Sequence, residues 1–507
     1  MRLHNIALRA SPAQPLGGPA PNLLIPSRPV TTHDTAPETG GAVASGEASP
    51  PEVPGEEPGE ISGLPRPLYG IDDRPASWWE SLLYGWQHTL VDISPFVLPL
   101  AVAGALGLPG DEAARLINAC LLAMGVATLI QTTVGNRLPI IQGPSATLTG
   151  TLAPLGAQLG APAMWGGVMV GGLLETVVGL ARLPGLLRRL FPPAVSGVVI
   201  VSIGFALGGL AVRLTVGDGR PLNFALAALV VGLIALLQTV FRRLGGGIVG
   251  RGAIFLSIWV VGIGLGSLLG EVDWSLVAAK PWLGLPRLFP YGGPGFGWEL
   301  SAAAVLGVAV GYLGSMVESL GDYAATCHVA GERYETRHMN RGIAAEGAGS
   351  VLAACIGAIP VTSYTQNIGI IAATGVASRF VVRIAAGVLL LYGLCPKFGA
   401  LLVALPRSVL GGVFVVVCGM IVLSGIQLLA KAEATPANSL LAGVTLITAL
   451  GVPTYVRSSL GAEWLGELPA LLALLLTNPV VLAVVLAVTL NMVLNVVLGE
   501  KVPLRDG

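Results

Sequence analysis

The sequence predicts an all-α polytopic membrane protein of fourteen transmembrane spans. They form a 7+7 inverted repeat in which the third and tenth spans are short, broken and carry brief β-strands. Three observations predict this. The 507 residues are 53% hydrophobic and 11% charged, with a mean hydropathy of +0.77, whereas soluble domains carry about a quarter charged residues. From Trp78 onward, apolar segments follow one another at lengths near the roughly 20 residues that cross hydrocarbon. Two of these segments open with proline and polar or extended runs in place of helix formers. The 70 Gly and 37 Pro fit apolar spans, where both are tolerated.

Residues 1–75 stand apart. Pro12 to Pro67 is rich in Pro, Gly, Ala, Ser and Glu and poor in large apolar residues, which predicts a disordered cytoplasmic tail with no cleavable signal peptide ahead of it. Spans follow near 80–106, 112–134, 139–158, 161–181, 186–212, 222–241, 250–270, 298–326, 339–358, 360–376, 379–404, 406–430, 436–456 and 472–498, with a short cytoplasmic tail at 501–507. One set of alternate connections carries twelve Lys and Arg, among them Arg182, Arg333 and Arg379. The other carries seven, among them Arg213, Lys280 and Arg457. The excess favours both termini in the cytoplasm.

The inverted repeat is read from two pairs of segments. Pro192, Val195 and Gly197 match Pro406, Val409 and Gly411 at identical spacing in the fifth and twelfth spans. "LPIIQGPSATLTG", with Pro139, corresponds to "IPVTSYTQNIGIIAATG", with Pro360, in the third and tenth. Both offsets are seven spans, an odd number, so the second copy crosses the membrane the opposite way. Two short interrupted spans in corresponding positions point to a secondary transporter. In the second, "PVTSYT" suits an extended stretch and "QNIGIIAATG" a half-helix from about Gln366. Half-helices beginning at the midplane aim free N–H groups and positive dipole ends into a cavity, which suits a polar or anionic small molecule. The competing expectation is two kinked helices that only pack.

In the eighth span Glu318 and Asp322 lie four apart, on one helical face, with Ser315 and Gly311 in the same stripe. Carboxylates at that depth cost a few kcal/mol each and mark substrate or proton pathways by default. A structural arginine partner is the alternative, but no arginine stands in the middle of a span. The first span holds Gln87, His88 and Asp92; His88 is either a proton site or a packing residue, and Asp92 either its partner or a separate proton site. Glu175 in the fourth span is a weaker candidate, balanced evenly against local packing. His328, His338, Glu332 and Glu335 are expected to be solvated, and Asn340 to cap the ninth span.

Several functions are excluded. Lys plus Arg and Asp plus Glu are 28 each, so no basic face for nucleic acid is indicated. Cys120, Cys327, Cys355, Cys395 and Cys418 lack paired spacing, so neither a disulfide framework nor a metal cluster is expected. "GGGIVGRG" near Gly245 has no preceding soluble strand and is no phosphate loop. The spans contain no H-E-x-x-H and no Ser or Cys convincingly beside a His, so an intramembrane enzyme is not expected.

At these residues the sequence resembles the nucleobase–ascorbate transporters (nucleobase:cation symporter-2), which include uracil, xanthine and urate permeases. The family motif reads Gln, Glu or Pro, then Asn, any residue, Gly, four of any residue, Thr, and Arg, Lys or Gly. Gln366, Asn367, Gly369, Thr374 and Gly375 meet it in full. Gln87 and His88 match the family's first-span pair, and Glu318 its eighth-span acid; the resemblance covers about residues 75–498.

The resemblance implies a core domain from spans 1–4 and 8–11 (76–185 and 298–404) moving against a gate domain from spans 5–7 and 12–14 (186–297 and 405–500). It also implies a homodimer in the plasma (inner) membrane, with membrane lipid around it and a nucleobase between spans 3 and 10. Glu318 and Gln366 would bind that substrate, with Asn367 and Gly369 of the motif beside them. Asp322, His88, Gln87, Asp92 and Thr374 would couple protons or support the site. No cofactor is implied; the coupling ion is H⁺, less readily Na⁺. Gln366 with Asp322 is similar to the xanthine and urate branch, while uracil permeases tend to carry Glu and His there. A proton-coupled purine importer is therefore expected, with a uracil permease and, more remotely, an anion exchanger of similar architecture as alternatives. Ala146 stands where the family often places an aromatic that stacks on the base.

Overall fold

The computed structural model describes residues 67–91, 94–185, 190–243, 252–290 and 298–497. The expected tails lie outside these residues apart from 67–75, and that portion departs from expectation. Tyr69 N–H donates to Gly375 O at 3.0 Å, Ala377 N–H to Tyr69 O at 2.8 Å and Arg379 N–H to Ile71 O at 3.0 Å. This backbone pairing gives the end of the polar stretch a fixed place that composition could not foretell.

Eight described helices are long and apolar enough to cross a membrane, and nine if one sharply bent pair is a single span. α1 (Trp78–Val91) and α2 (Ser94–Ala105) occupy the region expected to be one first span. α3 (Gly110–Thr133) follows, then strand β1 (Gln142–Pro144). α4 (Ala146–Leu180) is one 35-residue helix that merges the expected spans 3 and 4, with a kink at Gly160 (φ 81°, ψ 167°) between Pro154 and Pro162. At that φ an L side chain would be strained, so glycine permits the break. α5 (Pro193–Val216), α6 (Pro221–Arg243) and α7 (Ala253–Leu268) come next, with π-helical geometry over Ile258–Leu265. The short α8 (Trp274–Ala278) precedes α9 (Ala302–Val329) and α10 (Thr336–Cys355).

Strand β2 (Val361–Ser363) leads into α11 (Thr365–Thr374), which ends at Gly375 in the left-handed conformation (φ 70°). The expected eleventh span is two helices, α12 (Arg379–Gly393) and α13 (Pro396–Ala404), bent by 75° where Pro396 opens the second. α14 (Arg407–Leu429) and α15 (Pro436–Tyr455) follow. The last expected span is also divided, into α17 (Ala470–Thr477) and α18 (Pro479–Asn491), after the short α16 (Gly461–Gly466). Asn478 caps the second half by accepting from Val480 and Val481 N–H at 3.1 Å, and donates to Thr151 O at 3.0 Å.

The two strands pair antiparallel, with Gln142 opposite Ser363, Gly143 opposite Thr362 and Pro144 opposite Val361. Both are buried, so the pairing satisfies backbone groups that lipid could not. One apolar cluster joins Val195 and Val198 of α5, Val230 of α6, and Val413 and Phe414 of α14. Another joins Leu116 of α3, Leu152 of α4, Val308 and Tyr312 of α9, and Ala353 of α10. The α4–α10 contact is nearly backbone to backbone: a Cβ on Gly347 would lie 2.4 Å from Thr176 N and 2.7 Å from Gly172 O. Small residues let helices approach this closely where no hydrophobic force drives them together.

Two local expectations are corrected. His338 is 5% exposed, because Glu335 N–H donates to its Nδ1 at 3.1 Å and Tyr334 stacks on it at 6.4 Å. The helix starts at Thr336 with a capping box from Glu335 and His338, so its cap precedes Asn340.

Candidate functional site

The site forms where the paired strands release their helices. After β1, Ser145 caps α4, its Oγ accepting from Leu148 N–H at 3.2 Å. After β2, α11 begins at Thr365 with Tyr364 before it and no side-chain cap; Asn367 N–H turns back to Tyr364 O at 3.3 Å. Of the two half-helix starts, only α11 lacks a side-chain cap. α9 passes both and carries the acids.

Thr147 donates to Glu318 Oε2 at 2.8 Å, and Ser145 and Ser315 hydroxyls meet at 3.3 Å. Asp322 is buried and fully engaged: Ser363 donates to Oδ2 at 2.9 Å and Thr365 to Oδ1 at 2.8 Å. Behind it, the Ser319 hydroxyl oxygen lies 3.0 Å from that of Ser363, and Ser319 donates to Glu346 Oε1 at 2.6 Å. Tyr323 donates to Glu346 Oε2 at 2.7 Å and receives from Gln131 Nε2 at 2.9 Å. The carboxylates are thus held by hydroxyls; among the described residues none of the three makes an ion pair.

A cavity of about 400 Å³ opens beside these groups. Ala146, Glu318, Asp322 and Gln366 line it, together with Ile200 of α5 and Met420 of α14. Its volume falls in the usual range for small-molecule sites, about 300–1,000 Å³. Gly369 also lines it, and nothing lies within 4 Å of where its Cβ would be. Lys431, just beyond α14, lines the cavity too and is exposed, a basic residue that the linear sequence gave no reason to place there.

Of the other expected residues, His88, Gln87, Asn367, Thr374 and Glu175 do not line this cavity. His88 and Asn367 are both buried, and Asn367 Nδ2 meets His88 Nδ1 at 3.0 Å, joining the first helix to the motif. Gln87 is 5% exposed with its Nε2 unpartnered. Thr374 donates to Ile370 O at 2.8 Å and accepts from Val376 N–H at 3.2 Å, so it closes the end of α11 away from the acids. Glu175 is 1% exposed on α4, neither oxygen having a hydrogen-bond partner. Asp92 lies outside the described residues. Thr147, Ser363, Thr365 and Glu346 complete the site without having been singled out by pattern. Glu346 carries a usable signal, a lone carboxylate in an apolar span. Among the described residues no three His, Cys, Asp or Glu side chains are grouped to hold a metal ion.

The model of the Permease family matches residues 79–458. The chain is 33% identical over 396 residues to the uric acid permease PucK of Bacillus subtilis (strain 168), covering 75% of this chain and 90% of that protein. It is 30% identical over 442 residues to the xanthine permease XanQ of Escherichia coli (strain K12), covering 82% and 90%. Among solved structures, the transmembrane domain of a cyanobacterium bicarbonate transporter, BicA, superposes with a TM-score of 0.56 at 16% identity, covering 83% of this chain and 98% of that one. At that identity the likeness speaks for the fold alone. The apolar helices, the motif at Gln366 and the match over most of the chain lead to one conclusion: the protein is a multi-pass membrane permease, not an enzyme, and belongs to the Permease family, that of the nucleobase–ascorbate transporters.

Proposed function

We propose that the chain is a proton-coupled symporter that carries an oxopurine nucleobase, xanthine or urate, into the cell across the plasma membrane. The observation that carries the reading is that Glu318 and Gln366 line the same cavity. Glu318 spends one oxygen on Thr147, and its acceptor capacity suits a ring N–H. The Gln366 amide offers a donor and an acceptor side by side, matching the alternating edge of an oxopurine. The names of the relatives PucK and XanQ are consistent with this substrate class.

In this reading the chain has fourteen spans in a 7+7 inverted repeat. The core, 76–185 and 298–404, moves against the gate, 186–297 and 405–500, and exposes the cavity to each side in turn. Both termini are cytoplasmic and the working unit is a homodimer. Glu318 and Asp322 carry the coupled proton, supported by His88 and Asn367.

The test is uptake of radiolabelled xanthine in cells stripped of their own purine and pyrimidine permeases, with urate, guanine, hypoxanthine and uracil as competitors. Saturable uptake that is abolished by a protonophore and by Glu318→Gln, and untouched by uracil, supports the reading. Competition by uracil alone would assign a pyrimidine permease. Absence of uptake for every base would reject nucleobase transport and turn the search to anions at Lys431.

A further inference from the structure

Arginines at the starts of α10 and α12 and in the turn after α3 line a second cavity, of about 180 Å³, which shares no lining residue with the larger one. Arg137, Arg337, Arg341 and Arg379 line it against Asp72 and Glu332. Arg379 pairs with Asp72, and Arg337 with Glu335 at 2.9 Å. Arg137 and Arg341 make no ion pair among the described residues. Arg383 adds a further positive charge nearby, one end of its guanidinium donating to Thr132 O at 2.6 Å.

A second observation is independent of these charges. Asn136 lines the same cavity and is 4% exposed. Its Oδ1 accepts from Leu138 N–H at 3.0 Å, which fixes the orientation of the amide, and its Nδ2 has no partner. A buried N–H group without an acceptor is rare and costly. The turn that presents it is strained as well: Arg137 adopts φ 63°, the left-handed region, while its N–H donates to Gln131 O at 2.9 Å. Non-glycine residues in that region collect at ligand clamps.

We infer that this cavity is an anion site that takes a phosphate group, clamped by the Arg137 and Arg341 guanidiniums and the Asn136 amide. Guanidinium forks match phosphate oxygens in pairs, and the Asn136 donor supplies a neutral contact between them. The volume lies below the usual small-molecule range, which suits a compact phosphate and excludes a whole nucleoside. The phosphodiester of an anionic phospholipid and free inorganic phosphate share this chemistry. The inference does not depend on which substrate the larger cavity carries.

The experiment measures the thermal unfolding midpoint of the full chain in phosphatidylcholine nanodiscs. Inorganic phosphate is compared with chloride at equal ionic strength, and nanodiscs containing phosphatidylglycerol with phosphatidylcholine alone. Binding to the folded state should raise the midpoint by about 2 °C. A rise with phosphatidylglycerol only assigns a lipid headgroup; a rise with phosphate as well assigns a soluble anion. R137Q/R341Q should lose the rise, and so should Asn136→Asp, which keeps the acceptor for Leu138 N–H and preserves shape. The control R213Q/R407Q removes the same charge at exposed positions outside this lining and should keep it. No rise in the unaltered protein with either anion, or a rise retained in R137Q/R341Q or in Asn136→Asp, overturns the inference.

Discussion

Thr147 donates its hydroxyl hydrogen to Glu318 across 2.8 Å, so the first turn of the helix that follows β1 holds the acid carried by α9. Thr147→Val keeps the side-chain shape and removes the donor. Hydrogen bonds to charged groups are worth about 1.5–3 kcal/mol, so kcat/KM for xanthine uptake should fall roughly 10- to 100-fold. Thr147→Ser should retain most of it. Unchanged uptake kinetics in the valine variant would remove Thr147 from the site.

His88 and Asn367 form the buried link between α1 and the motif helix. With Nδ2 as donor, His88 Nδ1 accepts, and the ring proton sits on Nε2. Asn367→Ala leaves the imidazole unpartnered and should lower stability by about 1–3 kcal/mol. Asn367→Gln, with the same chemistry and a longer reach, should recover part of it. Melting midpoints in detergent test this, and a midpoint equal to the unaltered protein's in the alanine variant would show the contact to be idle.

Glycine at the α4–α10 seam is required by distance. Gly347→Ala places a Cβ 2.4 Å from the backbone nitrogen of Thr176, and overpacking of this kind costs about 1–3 kcal/mol. Gly387→Ala has open space at the same test and should be neutral or stabilising by up to about 1 kcal/mol. Equal melting of the two variants would contradict the close approach.

Outside the spans, the Ser275 hydroxyl, and then the Leu276 and Ser275 N–H groups, hold Asp273 below its ordinary value of 3.8 despite some burial. A carboxylate depressed on folding stabilises the folded state fully above its unfolded value and loses that contribution as pH falls through the folded value. Protection of the Ser275 and Leu276 amides, corrected for intrinsic exchange, should be flat from pH 7 to about 5 and fall below about 4. Asp273→Asn should flatten the profile. A profile that rises on acidification would reverse the sign.

Much of the candidate site is legible in the sequence. Glu318 and Asp322 at four-residue spacing, and the contiguous motif at Gln366, are local signals, and local signals survive in one dimension. The strands were legible too, since "PVTSYT" favours extended backbone. The breaks were harder. Asn478 divides the last span by turning its side chain onto Val480 and Val481 N–H groups, a choice set by its contact with Thr151 thirty-odd kilodaltons of chain away. Hydropathy averages over such a break and sees one continuous segment. The hydroxyl donors of the site, Thr147, Ser363 and Thr365, were invisible for a related reason. A serine or threonine in an apolar span has many ordinary roles, and only the approach of α9 selects this one. His338 misled because polarity in a loop usually means solvent, whereas here Tyr334 and Glu335 fold back over it.

The pairing of β1 with β2 also bears on how the protein is made. Gln142 and Ser363 are about 220 residues apart, and at about 5–20 residues per second the ribosome needs roughly 10–45 s to cover that distance. Throughout that interval Thr128 can meet the Gln142 backbone groups, but Ile141 O and Ser145 N–H, which pair with Tyr364 N–H and Pro360 O in the finished fold, await partners that have not been synthesised. A bare strand in hydrocarbon costs several kcal/mol per unmet group. The nascent chain must therefore keep β1 in water or against the insertion machinery until the second strand arrives, which makes translation between these two points the vulnerable phase of its biogenesis.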